Sequence, residues 1–429
     1  MTNLQKEDFS KWYLQTIQKA DLMDYSPVRG CIIFKPDGWE LWEHIQEDFN
    51  KYLKTQDIRN VYFPMLIPKH FLEKEEEHVE GFAPELPWLT KVGDEELEEP
   101  YALRPTSETL IGDAFSNWIN SYRDLPYEIN QWANVFRWEK KTMPFLRTSE
   151  FLWQEGHTAH ETEESARERT MGVLEAYATL IEDTLAIPVY RGQKTPSERF
   201  AGAVDTYSVE AMMRDGKAVQ AGTSHYLGQN FAEAFDIKFL NRNNEHDHVY
   251  TTSWGISTRL IGSLIMVHGD EQGLVLPPKV APTQVILIPV GPWQKKPEIL
   301  DRLKELKASL VEKGLRVRID TTDNTPGYKF NEWELKGAPL RIEFGPRDLE
   351  NNQAVIKMRD LADKESVSLD GIEEHIVAQL DVMQKRLFES AQKRYTANEN
   401  IPFNPPVEKT VDIVNGKPAK HTVWIARAY

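Results

Sequence analysis

The chain has 429 residues, 40% hydrophobic and 10% aromatic, enough apolar side chains for two or three folded units and too many for a disordered chain. Its single cysteine, Cys31, excludes an intramolecular disulfide and any cysteine-rich zinc site. The net charge of −16 argues against a uniformly basic nucleic-acid binder; with no signal-type apolar N-terminus and no apolar run near the roughly 20 residues that span a bilayer, the expected compartment is the cytoplasm.

Leu41, Ile45, Phe49 and Leu53 recur at helical spacing and predict an amphipathic helix. It leads into VYFPMLIP (61–68), strand-like but broken by Pro64 and Pro68. Acid dominates residues 73–99. Residues 127–139, rich in aromatic and β-branched side chains, predict a long strand. The polar turn KKTMP then leads into a second extended segment over 145–160, giving a hairpin with a loop of about five residues. Residues 161–186 follow a helical period and begin with acid, as suits a helix N-terminus. VYTTSWGIS (249–257) reads as a strand; Leu260, Ile261, Leu264, Ile265 and His268 then fall at helical spacing until Gly269 and Gly273. LVLPP (274–278) predicts one more short extended piece.

Pro277, Pro278 and Pro282 mark a boundary. Beyond it VILIPV, a helix over 297–313, RVRID, LRIEFG and AVIKMR alternate strand and helix, predicting a separate α/β module with a mixed sheet. Residues 283–366 hold 15 Lys and Arg against 14 Asp and Glu, so this module is near neutral inside an acidic chain and could offer a local basic face. The last stretch is proline-rich and then weakly strand-like; there is no internal repeat.

Several segments could carry chemistry. In the predicted hairpin Arg137 and Glu139 share one face of the first strand, and Arg147, Phe151 and Glu155 one face of the second. Arginine offers a planar donor fork for phosphate or carboxylate, and a ring beside it gives a base a stacking surface. The same pattern also fits a salt-bridge ladder on a solvated strand. Ser253, Gly255 and Ser257 leave one face of the third strand nearly bare, as at a close ligand or backbone approach, and Arg259 follows at the start of a helix. Thr106 and Glu108 in RPTSE could hold an amino or imino group, although such a run is also an ordinary helix N-cap. Gln220, Thr223 and His225 lie in QAGTSHYLG, where a lone histidine is more often structural. There is no GxxxxGK[ST] loop and no strand-linked GxGxxG, and His246 and His248 lack further metal ligands in an Asn-rich loop.

Taken in order, VYFPMLIP, FRWE with RTSEF, and GISTRLIGSLI resemble motifs 1, 2 and 3 of class II aminoacyl-tRNA synthetases. HVEGFAPELPWLT, LRPTSE, FLRTSEFLWQEGHTAH, ERFAGAV, QAGTSHYLGQNFA, the segment from TSWGISTRLIG to LVLPP, and PGYKFNEWELKGAPLRIEFGPRDL are similar to signatures of prolyl-tRNA synthetases of the archaeal/eukaryotic type. The resemblance covers roughly residues 10–375. It implies an α+β catalytic domain over 1–282, with an antiparallel sheet flanked by helices, and an α/β anticodon-binding domain with a mixed sheet over 283–380. A shortened segment would follow over 381–429. The implied activity is ATP-dependent activation of L-proline and its transfer to tRNA(Pro), by a homodimer joined through motif 1.

Residue by residue, the resemblance implies proline contacts from Thr106, Glu108, Arg137, Trp153, Glu155, His157, His225, Ser253 and Gly255. It implies ATP contacts from Arg137, Glu139, Arg147, Phe151, Gln220, Thr223, Ser257 and Arg259. Thr106 and Glu108 would bind the imino group, and Trp153 and His225 would shape the pocket. Arg137 would bridge carboxylate and α-phosphate; with Arg259 it is the expected catalytic pair. Glu139 would contact adenine stacked between Phe151 and Arg259. Arg147 would hold the terminal phosphates, with Gln220 and Thr223 on ATP and its Mg2+. Glu334, Lys336 and Arg347 are the implied anticodon contacts.

Two departures from the family carry expectations. The interval between motifs 2 and 3 is too short for the editing domain of bacterial-type relatives, so no hydrolysis of alanyl-tRNA is expected. The C-terminal region ends in Tyr429 but is short and has no cysteine, so no zinc is expected. The rival readings are another class IIa synthetase (threonine, serine, glycine or histidine), a non-catalytic tRNA-binding paralogue, or an ATP-binding domain without tRNA.

Overall fold

The computed structural model describes residues 4–78, 85–397 and 427–429. After one helical turn at Leu4–Glu7, the N-terminal part has helix α1 (Phe9–Lys19), capped by the Asp8 carboxylate on the Lys11 amide, and, past a small antiparallel pair at 23–25 and 32–34, α2 (Pro36–Thr55), whose Pro36 sits at the first position, where no amide is needed. Helix α2 buries Leu41, Ile45, Phe49 and Leu53, the spacing the sequence predicts. A two-residue strand β1 (Arg59–Asn60) follows, and then a small sheet of β2 (Leu66–Pro68), β3 (Trp88–Val92) and β4 (Glu95–Leu103), in the order β2-β4-β3. Of VYFPMLIP only 66–68 is strand, because Pro64 withholds the amide a ladder requires.

Helix α3 (Glu108–Trp118) leads to the strands that form the main sheet. These are β5 (Tyr127–Phe136), β6 (Glu150–His160), then, after helix α4 (Glu163–Asp183), β7 (Val189–Gln193), β8 (Asp205–Met212), β9 (Ala218–Gly228) and β10 (Tyr250–Ser257). The sheet runs β1-β5-β6-β10-β9-β8-β7, antiparallel except for the β1/β5 pair. Thr162 caps α4, with Glu163 and Glu164 in its first turn. Helix α5 (Arg259–His268) starts directly after β10 and ends at Gly269. Because side chains alternate along β10, Thr252, Trp254 and Ile256 face away from Ser253, Gly255 and Ser257. On that rear face Trp254 packs with Phe49 of α2 and Tyr177 of α4. The rear of β6 is polar but satisfied: the Tyr177 hydroxyl donates to Gln154, which donates to Asn130.

The hairpin between β5 and β6 differs from expectation. Strand β5 stops at Phe136 and β6 starts at Glu150, so 137–149 is one long connection and not a five-residue turn. Arg137, Glu139 and Arg147 therefore lie beyond the ladder and not on strand faces. The connection is anchored by buried Phe145 and Leu146, and by the Tyr13 hydroxyl donating to the Pro144 carbonyl at 2.7 Å. LVLPP forms no strand.

The second part holds β11 (Val285–Pro289), α6 (Pro297–Glu312), β12 (Val317–Ile319), α7 (Pro326–Leu335), β13 (Leu340–Phe344), β14 (Gln353–Met358), β15 (Lys364–Ser368) and α8 (Ile372–Ala397). Its sheet, β12-β11-β13-β14-β15, is parallel at β11/β12 and β11/β13 and antiparallel beyond. It is the mixed sheet that the alternation of strand and helix predicts. Helix α8 runs through residue 380. Most of the C-terminal stretch lies outside the described residues; of its end, Ala428 bridges in parallel to Ala218 of β9. Ion pairs join the two parts: Arg318 meets Asp37 and Glu40 of α2 at 3.0 Å.

Candidate active site

The register of the main sheet lines up side chains from different strands in two crosswise rows. His157 of β6 pairs with Ser253 of β10, which pairs with His225 of β9, which pairs with Thr206 of β8. Two residues along, Gln131 pairs with Glu155, Glu155 with Gly255, and Gly255 with Thr223. Adjacent strands place paired residues on the same face, so both rows floor one cleft. Gly255 leaves that floor bare between Thr223 and Glu155.

The cleft has a cavity of about 260 Å³, and among its lining residues are Thr106, Glu108, Arg137, Phe151, Trp153, Glu155, His157, Gln220, Thr223, His225, Ser253, Gly255, Ser257 and Arg259. Those fourteen are residues that the sequence singles out; Glu198, Phe200, Thr206, Ala221, Gly222, Trp254 and Ile256 complete the lining and are not. Glu139 and Arg147 do not line it. They pair with each other at 2.7 Å, and Arg147 lines a second cavity that shares Glu198, Gln220 and Arg259 with the first.

One end of the cleft is acidic. Glu108 is the first residue of α3, and its carboxylate accepts from the Thr106 hydroxyl. Ser107 occupies the N-cap position, yet its side chain does not cap the helix; it donates to Glu155. Gln131 donates to the same carboxylate oxygen. The other Glu155 oxygen meets His157 Nε2 at 3.0 Å. Burial alone would raise Glu155, but the His157 hydrogen bond and charge, with Ser107 and Gln131, hold it below the usual carboxylate range. Burial alone would depress His157, but Glu155 outweighs it and raises the imidazole pKa.

His225 behaves oppositely. Burial and the neighbouring His157 push its pKa down to about 3, so it is neutral at physiological pH. Its Nδ1 lies 3.0 Å from the Thr206 hydroxyl, and the Phe200 ring packs at 4.7 Å. Ser253 Oγ and Trp153 Nε1 are buried in the cleft without a hydrogen-bond partner. A bound polar group could satisfy both.

Arg137 stands between this acidic end and the rest of the cleft. Its Nε donates to the Pro105 carbonyl at 3.0 Å, and its guanidinium lies 5.4 Å from the Phe151 ring and 5.6 Å from that of Trp153. Burial works against its charge, while Glu108, Glu155 and Glu139 favour it. Arg259, half-buried, donates to the carbonyls of Leu146 and Gln220 at 3.1 and 3.3 Å. Two guanidinium groups and a ring can thus take a phosphate, a carboxylate and a planar base together.

Sequence reasoning missed Ser107, Gln131, Phe200, Thr206, Glu198 and Glu210. Phe200 lies in ERFAGAV, where the resemblance was the available signal. Ser107 and Gln131 reach Glu155 only through tertiary packing. Of the implied anticodon residues, Glu334 is half-buried in α7 and Arg347 is exposed. Lys336 is engaged with Asp37 of the first part at 3.7 Å.

Residues 89–268 match the family model for the class II tRNA synthetase core domain (G, H, P, S and T), and residues 284–379 that for an anticodon binding domain. Fold and cleft accordingly define a class II aminoacyl-tRNA synthetase. The chain is 56% identical to the proline–tRNA ligase of Symbiobacterium thermophilum, over 99% of this chain and 97% of that protein. Its identity to the proline–tRNA ligase of Ruminiclostridium cellulolyticum is 53%, over 96% and 86% of the two chains. With proline–tRNA ligase 2 of Clostridioides difficile it is 52%, over 93% and 83%. The chain belongs to the proline–tRNA ligase family.

Proposed function

We propose that the cleft joins proline to a nucleotide at Arg137. As a member of its family the chain catalyses the ATP-dependent ligation of proline to tRNA, through prolyl-adenylate and with release of diphosphate. The observation that carries the assignment of roles is the position of Arg137, between the carboxylates of Glu108 and Glu155 on one side and Phe151 and Arg259 on the other. An imino acid has a cation at one end and a carboxylate at the other. Glu108 and Thr106 suit the cation; Arg137 suits the carboxylate and, with it, the α-phosphate that the carboxylate attacks.

In this reading Trp153, Glu155, His157, His225, Ser253 and Gly255 shape the proline pocket. Neutral His225 and the Phe200 ring accommodate the apolar ring. Phe151 and Arg259 sandwich adenine, with Glu139 and Ser257 beside it, and Arg147, Gln220 and Thr223 receive the phosphates. The carboxylate is already ionised near neutral pH, so the arginines act by holding two anions together as charge builds on phosphorus. Glu198 and Glu210 present carboxylates in the cavity that Arg147 lines, where the Lys194 ammonium now pairs with them at 4.0 and 2.6 Å and a bound cation would take its place. That donor set fits Mg2+ arriving with ATP, since the ion takes one or two carboxylates and completes its shell with phosphates and water. Held there, the ion would supply positive charge against the phosphates.

The same reading divides the chain at 1–282, 283–380 and 381–429, with the second part on the anticodon through Glu334, Lys336 and Arg347. It places the enzyme in the cytoplasm, without zinc and without hydrolysis of alanyl-tRNA. Among the described residues no helix is long and apolar enough to cross a membrane, and no cluster of His, Cys, Asp and Glu could hold a metal unaided. A homodimer through motif 1 is supported by an exposed apolar face there: Tyr62 and Trp118, 73% and 42% exposed, flank Phe63.

The test is ATP–diphosphate exchange driven in turn by proline, threonine, serine, glycine and histidine, beside aminoacylation of tRNA. Proline alone should support both. Exchange driven by threonine, or none with proline, would overturn the assignment.

A further inference from the structure

Helix α5 carries Arg259 at its first residue, inside the cleft, and ends at His268, its tenth. At about 1.5 Å per residue it is a rod of roughly 15 Å. The last carbonyls of a helix have no partner within it. Here they are taken by side chains from distant parts of the chain. Arg214 donates to the carbonyls of Val267 and His268 at 3.0 and 3.1 Å, and Arg394 of α8 donates to Val267 at 2.8 Å. Trp12 Nε1 holds the carbonyl of Asp270 at 2.9 Å.

The Asp270 side chain makes the strongest link. Arg359 of the second part grips it through both terminal nitrogens, at 2.8 and 2.6 Å, and donates through Nε to the carbonyl of Glu334 at the end of α7. The Arg359 side chain is 2% exposed. The Asp270 side chain is 35% exposed, but the bidentate contact from a buried arginine fixes geometry as well as charge. At the other end of the rod, the Arg259 guanidinium is held, among the described residues, by the backbone carbonyls of Leu146 and Gln220 named above. Where its guanidinium lies therefore depends on where the helix puts its Cα.

We propose that Arg359 is a positioning residue for the activation step: through Asp270 and helix α5 it sets the placement of Arg259, so that the second part of the molecule supports the nucleotide half of the cleft. The inference rests on Arg259 as a nucleotide contact. It concerns a step that needs no tRNA, which separates it from any role of the second part in holding the anticodon.

The test is the KM for ATP and the KM for proline in proline-dependent exchange, without tRNA, for the full chain carrying Arg359→Gln, Asp270→Asn, or both. Each single variant should raise the KM for ATP about tenfold, a size consistent with displacement of a binding group by a fraction of an ångström, while the KM for proline stays within about twofold. The double variant should be no worse than either single one, as expected for two partners of one contact. Arg359→Lys, which keeps the charge but not the fork, should recover part of the loss. A mere tether between the parts would lower the thermal midpoint and leave the KM for ATP unchanged, and that outcome overturns the proposal. If Arg359→Gln does not fold, the near-isosteric Asp270→Asn carries the same test. An Arg259→Ala variant with unchanged KM for ATP would instead reject Arg259 as a nucleotide contact, a distinct failure.

Discussion

Glu155 and His157 lie two residues apart on one face of β6, and their side chains meet at 3.0 Å with 3% and 5% of their surfaces exposed. A carboxylate so buried would ordinarily be protonated and an imidazole neutral; each keeps the other charged.

That coupling gives stability a defined pH window. His157 has a raised folded-state pKa, so its contribution is complete below the unfolded value of about 6.5 and fades as pH rises through the higher folded value. Glu155 has a lowered one, so its contribution is present above about 4.3 and fades as pH falls through the folded value. Urea unfolding of wild type and His157→Gln from pH 5 to 9 should show the wild-type advantage shrinking toward pH 9. An advantage that grows between pH 7 and 9 would contradict the ion pair.

Arg137→Ala should abolish proline-dependent exchange, by at least about a thousandfold, while the circular dichroism spectrum stays that of the wild type. The loss should appear in kcat as well as in KM, because the arginine serves charge that develops during the reaction. Near-normal exchange would remove Arg137 from the chemistry.

Arg147 separates binding from folding. Its side chain is 56% exposed, and among the described residues it bonds to the side chain of Glu139. Arg147→Ala should change stability by no more than about 0.5 kcal/mol, since exposed ion pairs contribute little. Exchange should nevertheless fall roughly tenfold or more, through the KM for ATP. Calorimetry paired with exchange kinetics decides it.

Gly156 sits between Glu155 and His157 but faces the rear of the sheet, where a Cβ would lie 2.0 Å from the Trp254 ring. Gly156→Ala should therefore cost about 3 kcal/mol by overpacking, and Trp254→Leu in the same chain should return part of it. Denaturant midpoints of the two variants and their combination measure the exchange of volume.

Much of this was legible in the sequence where local pattern and tertiary structure agree. The spacing of Leu41, Ile45, Phe49 and Leu53 is buried as α2, and the small residues of β10 do form a bare floor. The hairpin failed because aromatic, strand-prone residues continue past Phe136, while the ladder ends there for reasons that lie elsewhere in the chain. The Arg137 amide still bonds the Ser149 carbonyl, and beyond it buried Phe145 and Leu146 draw the connection into the core. The RPTSE run reads as a helix N-cap because capping is what such residues do locally; the partner of its Ser107 side chain, Glu155, is 48 residues away. Gln131 is one polar residue in a strand until its register against Glu155 is known. The crosswise rows are products of strand pairing, which no single segment reports.

Strand β6 turns Trp153, Glu155 and His157 toward the cleft, and Gln154, Gly156 and Thr158 toward the interior. Adding or deleting one residue in it would exchange the two sets, seating the glycine and its polar neighbours in the cleft and burying the ion pair against Trp254. The strand is thus closed to changes of length as the chain diversifies. Descendants of this enzyme could grow or shrink at the 137–149 connection, or beyond the sheet edge, but at β6 they can vary only by substitution.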